Sequence, residues 1–271
     1  MISVILVQHN GGRMTLDAVR TLRRYHPDGY EVIVVDNGST DGSASLLRSE
    51  LTGVQVLENA NQGFGSANNM AASMAHGEIF LFLNNDTLCT QEYMSDVERI
   101  FGSDVGMGIL GPRLNNPEGS FQLSAGALPT FWSEIGDKFL YAAAGRRIRP
   151  VVNQAEHYFS TRREVGWVTG AALFIRRTLF ERLGGFDERM FMYFEDKDLC
   201  ARARVLGARA MFDPSFSMIH LKGGSSPGGM PANLRREYRK SQMLYYSVHR
   251  PPYEQALLGN YLRLTGRYPH E

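Results

Sequence analysis

Short runs of β-branched, aliphatic and aromatic residues alternate along this chain with segments whose apolar positions recur every three to four residues. Residues 3–7, 31–35, 54–57 and 78–83 are runs of the first kind, and their composition predicts strands. Between them, Leu16, Val19 and Leu22 share one helical face, as do Leu46, Leu47 and Leu51, and then Ala67, Met70, Ala71 and Met74. A fourth helix is expected over 93–101 and another strand over 107–110. This βαβα alternation predicts an α/β fold with a mostly parallel, Rossmann-like sheet, helices on both faces and right-handed crossovers. From 111 to 164 the period is lost among Pro, Asn, Gly, aromatic and Arg residues, which reads as an irregular insertion. Order returns with a strand over 166–175, helices over 178–183 and 195–206, short strands at 209–212 and 216–219, a Gly/Ser/Pro loop at 223–229 and a helix over 232–248.

The polar residues that matter lie where the strands stop. In Glu78-Ile-Phe-Leu-Phe-Leu-Asn-Asn-Asp86-Thr87 five apolar residues end in two amides, a carboxylate and a hydroxyl. In an open parallel sheet, ligands bind beyond the carboxyl ends of the strands. There Asp86 can hold a hard divalent cation against phosphate oxygens. The strand at 31–35 ends the same way, in Asp36 and the turn Asn37-Gly-Ser-Thr-Asp-Gly42. Asp36 is placed to accept from a pyrimidine imide or a ribose hydroxyl, while Asp41 suits a helix cap. Between these strands, Asn59-Ala-Asn-Gln-Gly-Phe-Gly-Ser-Ala-Asn-Asn69 offers glycine-freed backbone N–H groups at a helix start, without matching GxGxxG or a Walker loop.

A second block, Gly184-Gly-Phe-Asp-Glu-Arg-Met-Phe-Met-Tyr-Phe-Glu195-Asp196-Lys-Asp198, gathers three carboxylates at a helix start behind an aromatic approach. Such acids favour the helix dipole. Their mutual repulsion can also raise a pKa and ready one of them as a general base. His220 stands at a strand end before Gly223, where a neutral imidazole can join a carboxylate on Mn²⁺ or a similar ion. Trp167, Phe191, Tyr193 and Phe194 are candidates for stacking on a ligand or for core packing.

Composition narrows the class. With 271 residues, 43% hydrophobic and 21% charged, the chain is ordinary for a soluble globular protein. A net charge of +1 argues against a nucleic-acid binder. Yet 234–271 carries seven Arg or Lys against three Glu, a basic aromatic stretch suited to an anionic membrane surface. Cys89 and Cys200 fit neither a zinc spacing nor a disulfide framework, so a reducing, cytoplasmic setting is expected. No apolar run reaches the ~18 residues of a membrane span.

Taken in order, these strings resemble the inverting glycosyltransferases of family 2 with the GT-A fold, especially rhamnosyltransferase-like members that build bacterial surface polysaccharides. The resemblance covers residues 2–226. It rests on Ser3-Val-Ile-Leu-Val with Asn10, Val35-Asp-Asn-Gly-Ser-Thr-Asp-Gly-Ser43, Asn61-Gln-Gly-Phe-Gly-Ser-Ala-Asn-Asn69 and Leu83-Asn-Asn-Asp-Thr87. It continues through Gly170-Ala-Ala-Leu-Phe-Ile-Arg176, Gly184-Gly-Phe-Asp187 and Phe194-Glu-Asp-Lys-Asp-Leu-Cys200. It implies a nucleotide-sugar-binding half (1–110), an acceptor-binding and catalytic half of the same domain (111–230) and a basic helical tail (231–271).

The resemblance further implies that Asn10, Asp36, Asn37, Asn61, Gly63, Phe64, Asn68, Asn84 and Asn85 serve the nucleotide sugar. Asp86 and His220 would hold Mg²⁺ or Mn²⁺, and Asp196 would be the base with Glu195 beside it. The donor would be dTDP-rhamnose or a UDP-sugar. The acceptor would be a saccharide or lipid-linked saccharide, met at the inner face of the membrane with the basic tail as contact. Asn84 replaces the first acid of a strict DXD, so one carboxylate is expected on the metal. Gln8-His9 stands where many relatives have Thr or Asn before an aromatic residue. Two other classes fit parts of the pattern. A sugar-nucleotide nucleotidyltransferase would release pyrophosphate and carry a richer Gly/Lys loop than Asn10-Gly-Gly-Arg13, and a non-catalytic sugar-nucleotide-binding protein would bind without turnover.

Overall fold

The computed structural model describes residues 1–145, 149–221 and 230–269. The expected loop at 223–229 lies outside them. The first half follows the predicted alternation: β1 (Ile2–Gln8), α1 (Gly12–Tyr25), β2 (Tyr30–Asn37), α2 (Ser43–Glu50), β3 (Gln55–Asn59), α3 (Phe64–Met74), β4 (Ile79–Asn84), β5 (Thr87–Cys89) and α4 (Met94–Ser103). Then come β6 (Met107–Asn115), β7 (Phe121–Gln122), β8 (Ala125–Gly126), α5 (Phe131–Gly145), α6 (Arg149–Tyr158), β9 (Arg163–Val165), β10 (Trp167–Val168), β11 (Ala172–Arg176) and α7 (Arg177–Leu183). The chain closes with α8 (Glu195–Val205), β12 (Arg209–His220), α9 (Ala232–His249) and α10 (Pro252–Leu264).

The main sheet runs β3-β2-β1-β4-β11-β6-β12-β5. Of these, β3, β2, β1, β4, β6 and β12 point one way, and only β11 and β5 run against them. The sheet is therefore mixed and mostly parallel. β1 is buried along its whole length and β4 up to Leu83, as expected of central strands covered on both faces. One face packs on Leu16, Val19, Leu22, Leu47, Val97 and Phe101 from α1, α2 and α4. The other packs on Ala67, Ala71, Phe180, Leu199 and Ala203 from α3, α7 and α8. Gln8 is paired in register with Asp36, and Val7 with Asn84, so the carboxyl ends of β1, β2 and β4 open at the same edge.

Three features differ from the sequence expectation. The strand expected over 166–175 is two, β10 and β11, broken at Thr169-Gly170-Ala171. There the Thr169 N–H turns away to Ser124 O, at 2.8 Å, and the Gly170 N–H to the Asp196 carboxylate, at 3.0 Å. Conversely, the strands expected at 209–212 and 216–219 are one, β12. Its register shifts between Asp213 and Ser217, across Pro214, which has no N–H to give the ladder. The insertion at 111–164 contains two helices, α5 and α6, whose pattern was hidden by apolar residues on more than one face.

The C-terminal segment is docked rather than loose. Tyr245, Tyr246, Leu258 and Leu262 bury themselves against Met190, Phe194 and Ala201, forming a third core between α8, α9 and α10. No helix among the described residues is long and apolar enough to cross a membrane.

Candidate active site

At the ends of β1 and β2, Asp36 is buried and both of its oxygens are engaged. Gln8 Nε2 donates to Oδ2, and the Ser39 N–H donates to Oδ1 at 2.8 Å. Gln8 Oε1 accepts from the Gly11 N–H at 2.8 Å, so one side chain ties the carboxylate to the start of α1. Gln8 is thus a site residue that the family pattern left unassigned; its register opposite Asp36 was the available signal. Asn10, in the left-handed region at φ 52°, accepts from the Thr40 N–H at 2.9 Å and pins the turn after Asp36.

Asn37 Nδ2 donates to Asn61 Oδ1 and Gly63 O at 3.1 and 3.2 Å, and Asn59 Nδ2 donates to Asn37 Oδ1 at 3.2 Å. Asn68 Nδ2 donates to Phe64 O at 2.9 Å. These amides are spent on shaping the 59–64 loop. Gly63 has φ 108°, and a Cβ there would lie 2.6 Å from Phe191 O, which already accepts from the Phe64 N–H at 2.8 Å. Gly63→Ala is therefore expected to cost ~2–3 kcal/mol. In a thermal melt this corresponds to a loss of about 5–10 °C; an unchanged melting temperature would show that the loop does not dock as described.

Beyond β4, the Asn84 N–H and the Thr87 hydroxyl both donate to Ala171 O, at 3.0 and 3.2 Å, and hold the turn that carries Asp86. Asn85 Nδ2 donates to Thr15 Oγ1 at 3.3 Å and reaches Gly11 O at 3.5 Å. Asp86 Oδ1 lies 3.1 Å from His220 Nε2. The state of that imidazole follows from its other side. Gln122 Nε2 donates to His220 O at 2.7 Å; because a carbonyl can only accept, the amide orientation is fixed, and Gln122 Oε1 then accepts from His220 Nδ1–H at 3.0 Å. Nε2 and Oδ1 therefore need a cation between them, either a proton or a metal. Among the described residues no third His, Cys, Asp or Glu joins them. The pair fits a hard ion whose remaining positions go to water and substrate oxygens. Gln122, in a two-residue strand of the irregular region, carried no readable signal in the sequence.

The α8 carboxylates have three different fates. Asp198 is buried on Arg202 at 2.6 Å and on His249 of α9 at 2.7 Å, and Arg202 goes on to cap Leu183 O and Gly185 O. It fastens α9 to α8. Glu195 is buried with one oxygen, Oε2, unpartnered; burial first, and Asp196 second, push its carboxyl up to about 8. Asp196 is half-buried and accepts from the N–H groups of Gly170 and Lys197 at 3.0 and 2.8 Å. The residues just before α8, Tyr193 and Phe194, both have φ 68°, strain of the kind found where a chain aims a functional group.

Glu195 gives a pH signature. The unfolded carboxyl ionises near 4.5 and the folded one near 8, so its burial costs stability increasingly from pH 4.5 to 8. Glu195→Gln is expected to stabilise the fold by ~4 kcal/mol at pH 8 and by little at pH 4.5. Melts across that range read it; a difference independent of pH would show that the carboxyl titrates normally.

Beside Asp196 lie Trp167 and Phe194, which the sequence offered for stacking or core packing and which are buried in the core, together with partners from α5 and α9 that the sequence did not reveal. Lys197 Nζ lies over the rings of Trp167 and Phe194, at 4.7 and 4.4 Å. Tyr238 of α9 packs edge-on against Tyr193 and Phe194. Glu134 and Asp137 of α5 turn toward Lys197, and burial raises both carboxyls against the lowering effect of that cation. Carboxylates thus stand at three places: Asp36 beyond β2, Asp86 with His220 beyond β4, and Asp196 at the start of α8.

Solved glycosyltransferases share this architecture. The mannosyltransferase PcManGT from Pyrobaculum calidifontis, solved with GDP-Man and Mn²⁺, superposes with a TM-score of 0.60 at 18% identity over 95% of this chain and 67% of its own. Residues 1–349 of S. aureus TarS give 0.55 at 16% identity over 91% and 72%. The fold is GT-A.

In sequence, the chain is 30% identical over 227 residues to an N-acetylglucosaminyl-diphospho-decaprenol L-rhamnosyltransferase of Mycobacterium tuberculosis, covering 79% of this chain and 73% of that one. It is 25% identical to the rhamnosyltransferase WbbL of Escherichia coli K12, over 81% and 83%. Residues 3–184 match glycosyl transferase family 2. The chain belongs to that family and is a glycosyltransferase.

Proposed function

We propose that this enzyme moves rhamnose, with inversion, from a nucleoside-diphosphate sugar to a hydroxyl of a lipid-linked saccharide in surface-polysaccharide synthesis. The observation that carries the reading is the joining of both reactive carboxylates to one hinge. Asp196 accepts from the Gly170 N–H, and the next carbonyl, Ala171 O, holds the turn that presents Asp86. A base and a leaving-group site are thereby fixed relative to each other across the strand gap, as a single in-line displacement requires. The rhamnosyltransferase relatives favour rhamnose as the sugar moved, and the N-acetylglucosaminyl-diphospho-decaprenol relative favours a lipid-diphosphate acceptor.

Asp36, buttressed by Gln8 and Ser39, takes the base or ribose. Asp86 and His220 would hold Mg²⁺ or Mn²⁺, which when bound offsets charge on the departing diphosphate. Asp196 removes the proton of the acceptor hydroxyl. Glu195, protonated at neutral pH, is unsuited to that role and supports Asp196 from behind. Tyr238, Glu134 and Asp137 form the acceptor wall, offering a ring and carboxylates to sugar hydroxyls, while the buried Trp167 packs in the core beneath Lys197.

The test is a thermal-shift panel of dTDP-, UDP- and GDP-sugars with and without Mn²⁺, since a ligand of the native state raises the melting temperature. A metal-dependent shift with dTDP-rhamnose is expected. A shift confined to GDP- or UDP-sugars would replace the donor, and none with any donor would remove the reading.

A further inference from the structure

α5 is amphipathic in an unusual sense. Its polar side, Glu134 and Asp137, turns inward toward Lys197, while Trp132 and Phe139, one heptad apart, stand 69% and 74% exposed. α10 lies against it. Phe131 N–H donates to Glu254 at 3.0 Å, the Phe131 and Tyr261 rings meet at 6.4 Å, and Lys138 Nζ lies 4.5 Å over the Tyr261 ring. Position 131 therefore pairs with 254 and 138 with 261, so the two helices run parallel. At 100° per residue, the stripe Trp132–Phe139 on α5 and the stripe Tyr253, Leu257 and Leu264 on α10 then fall on the same side. All five side chains are exposed.

The charge on this face has one sign. Lys138, Arg263 and Arg267 are exposed at its rim; Arg267 donates to the Tyr261 hydroxyl at 3.1 Å, and Arg263 lies 4.6 Å over the Tyr268 ring. Of the described carboxylates of the two helices, Glu134 feels Lys197 first and Lys138 after it, Asp137 faces Lys197, and Glu254 is buried on Arg250, so none of them is exposed on this face. A ridge of Trp, Phe, Tyr and Leu bordered by basic residues matches the interfacial zone of an anionic bilayer, where amphipathic rings sit among headgroups and nearby cations are attracted to the anionic surface. A second copy of the chain would bring like charges together. The apolar residues of α9, by contrast, are largely spent on the third core, so the basic C-terminal segment contributes to this face mainly through α10.

We infer that the joint outer face of α5 and α10 docks on an anionic lipid surface, with Trp132 and Phe139 inserted among the headgroups. This deepens the lipid-linked acceptor reading and rests on it for its purpose. α5 would then stand between the bilayer and the acceptor wall, fixing the height of Asp196 above the membrane.

The test is co-sedimentation of the full chain with vesicles rich in phosphatidylglycerol or made of phosphatidylcholine alone, read apart from any transfer assay. Binding to the anionic vesicles is expected, weakening as salt rises, with a blue shift of Trp132 emission. Trp132→Ser combined with Phe139→Ser should lower partitioning at least about tenfold. Lys138→Glu combined with Arg267→Glu should erase the preference for anionic lipid. The melting temperature of the Trp132/Phe139 variant, and the shifts of both variants with nucleotide sugar, should remain those of the wild type. Equal partitioning by the Trp132/Phe139 variant, or a wild-type dimer that this variant splits in sedimentation velocity, would overturn the inference. Loss of nucleotide-sugar shifts in the wild type with vesicle binding intact would instead count against the transferase reading alone.

Discussion

Asp196→Asn is expected to lower the rate of sugar transfer by about 10³-fold or more while leaving nucleotide-sugar binding unchanged. A positioned general base is worth ~10²–10⁴ in rate. The amide oxygen of Asn can still accept from the Gly170 N–H, so the gap between β10 and β11 is preserved. Initial rates of nucleoside-diphosphate release with acceptor present, beside the donor-induced thermal shift, separate the two effects. The neighbouring Glu195→Gln should be far milder, because that carboxyl is already neutral and enclosed at the working pH. Full activity in Asp196→Asn, or a larger loss in Glu195→Gln, would move the base from Asp196.

The second large effect is expected at the other end of the same hinge. Asp86→Asn should remove the metal-dependent part of the donor shift and lower kcat/KM by about 10³-fold, since the substitution leaves His220 as the single charged or imidazole ligand from the described residues. Binding of the free nucleoside should survive, because Asp36 and Gln8 are held by a separate set of bonds. Titration of Mn²⁺ into wild type and variant, with nucleotide present, measures it. Identical manganese dependence in the two proteins would eliminate Asp86 as a ligand.

Much of the first half of the chain was legible because its order is local. β1, β2 and β4 are continuous apolar runs, α1 and α3 have clean three-to-four spacing, and the acids that end the strands stand out against them. Parallel pairing then forces Gln8, Asp36 and Asn84 to one edge. What stayed hidden depends on partners far apart in the chain and outside any period. Gln122 fixes the His220 tautomer across 98 residues, and His249 reaches 51 residues back to Asp198. That second bond also explains why three clustered acids do not act as one: Asp198 is paired with Arg202 and His249 and raises the Glu195 carboxyl less than Asp196 does. The α5 wall was invisible for a related reason. Trp132 and Phe139 face outward and Glu134 and Asp137 inward, the reverse of the pattern that marks a surface helix.

The most direct test of the account is the anomeric configuration of the product formed from dTDP-rhamnose and a saccharide-diphosphate-lipid acceptor with Mn²⁺, read by NMR alongside the nucleotide released. One displacement by an acceptor hydroxyl deprotonated at Asp196 predicts a linkage of configuration opposite to the donor's, with one dTDP released per sugar moved. A linkage that retains the donor configuration, or release of pyrophosphate in place of dTDP, would contradict it.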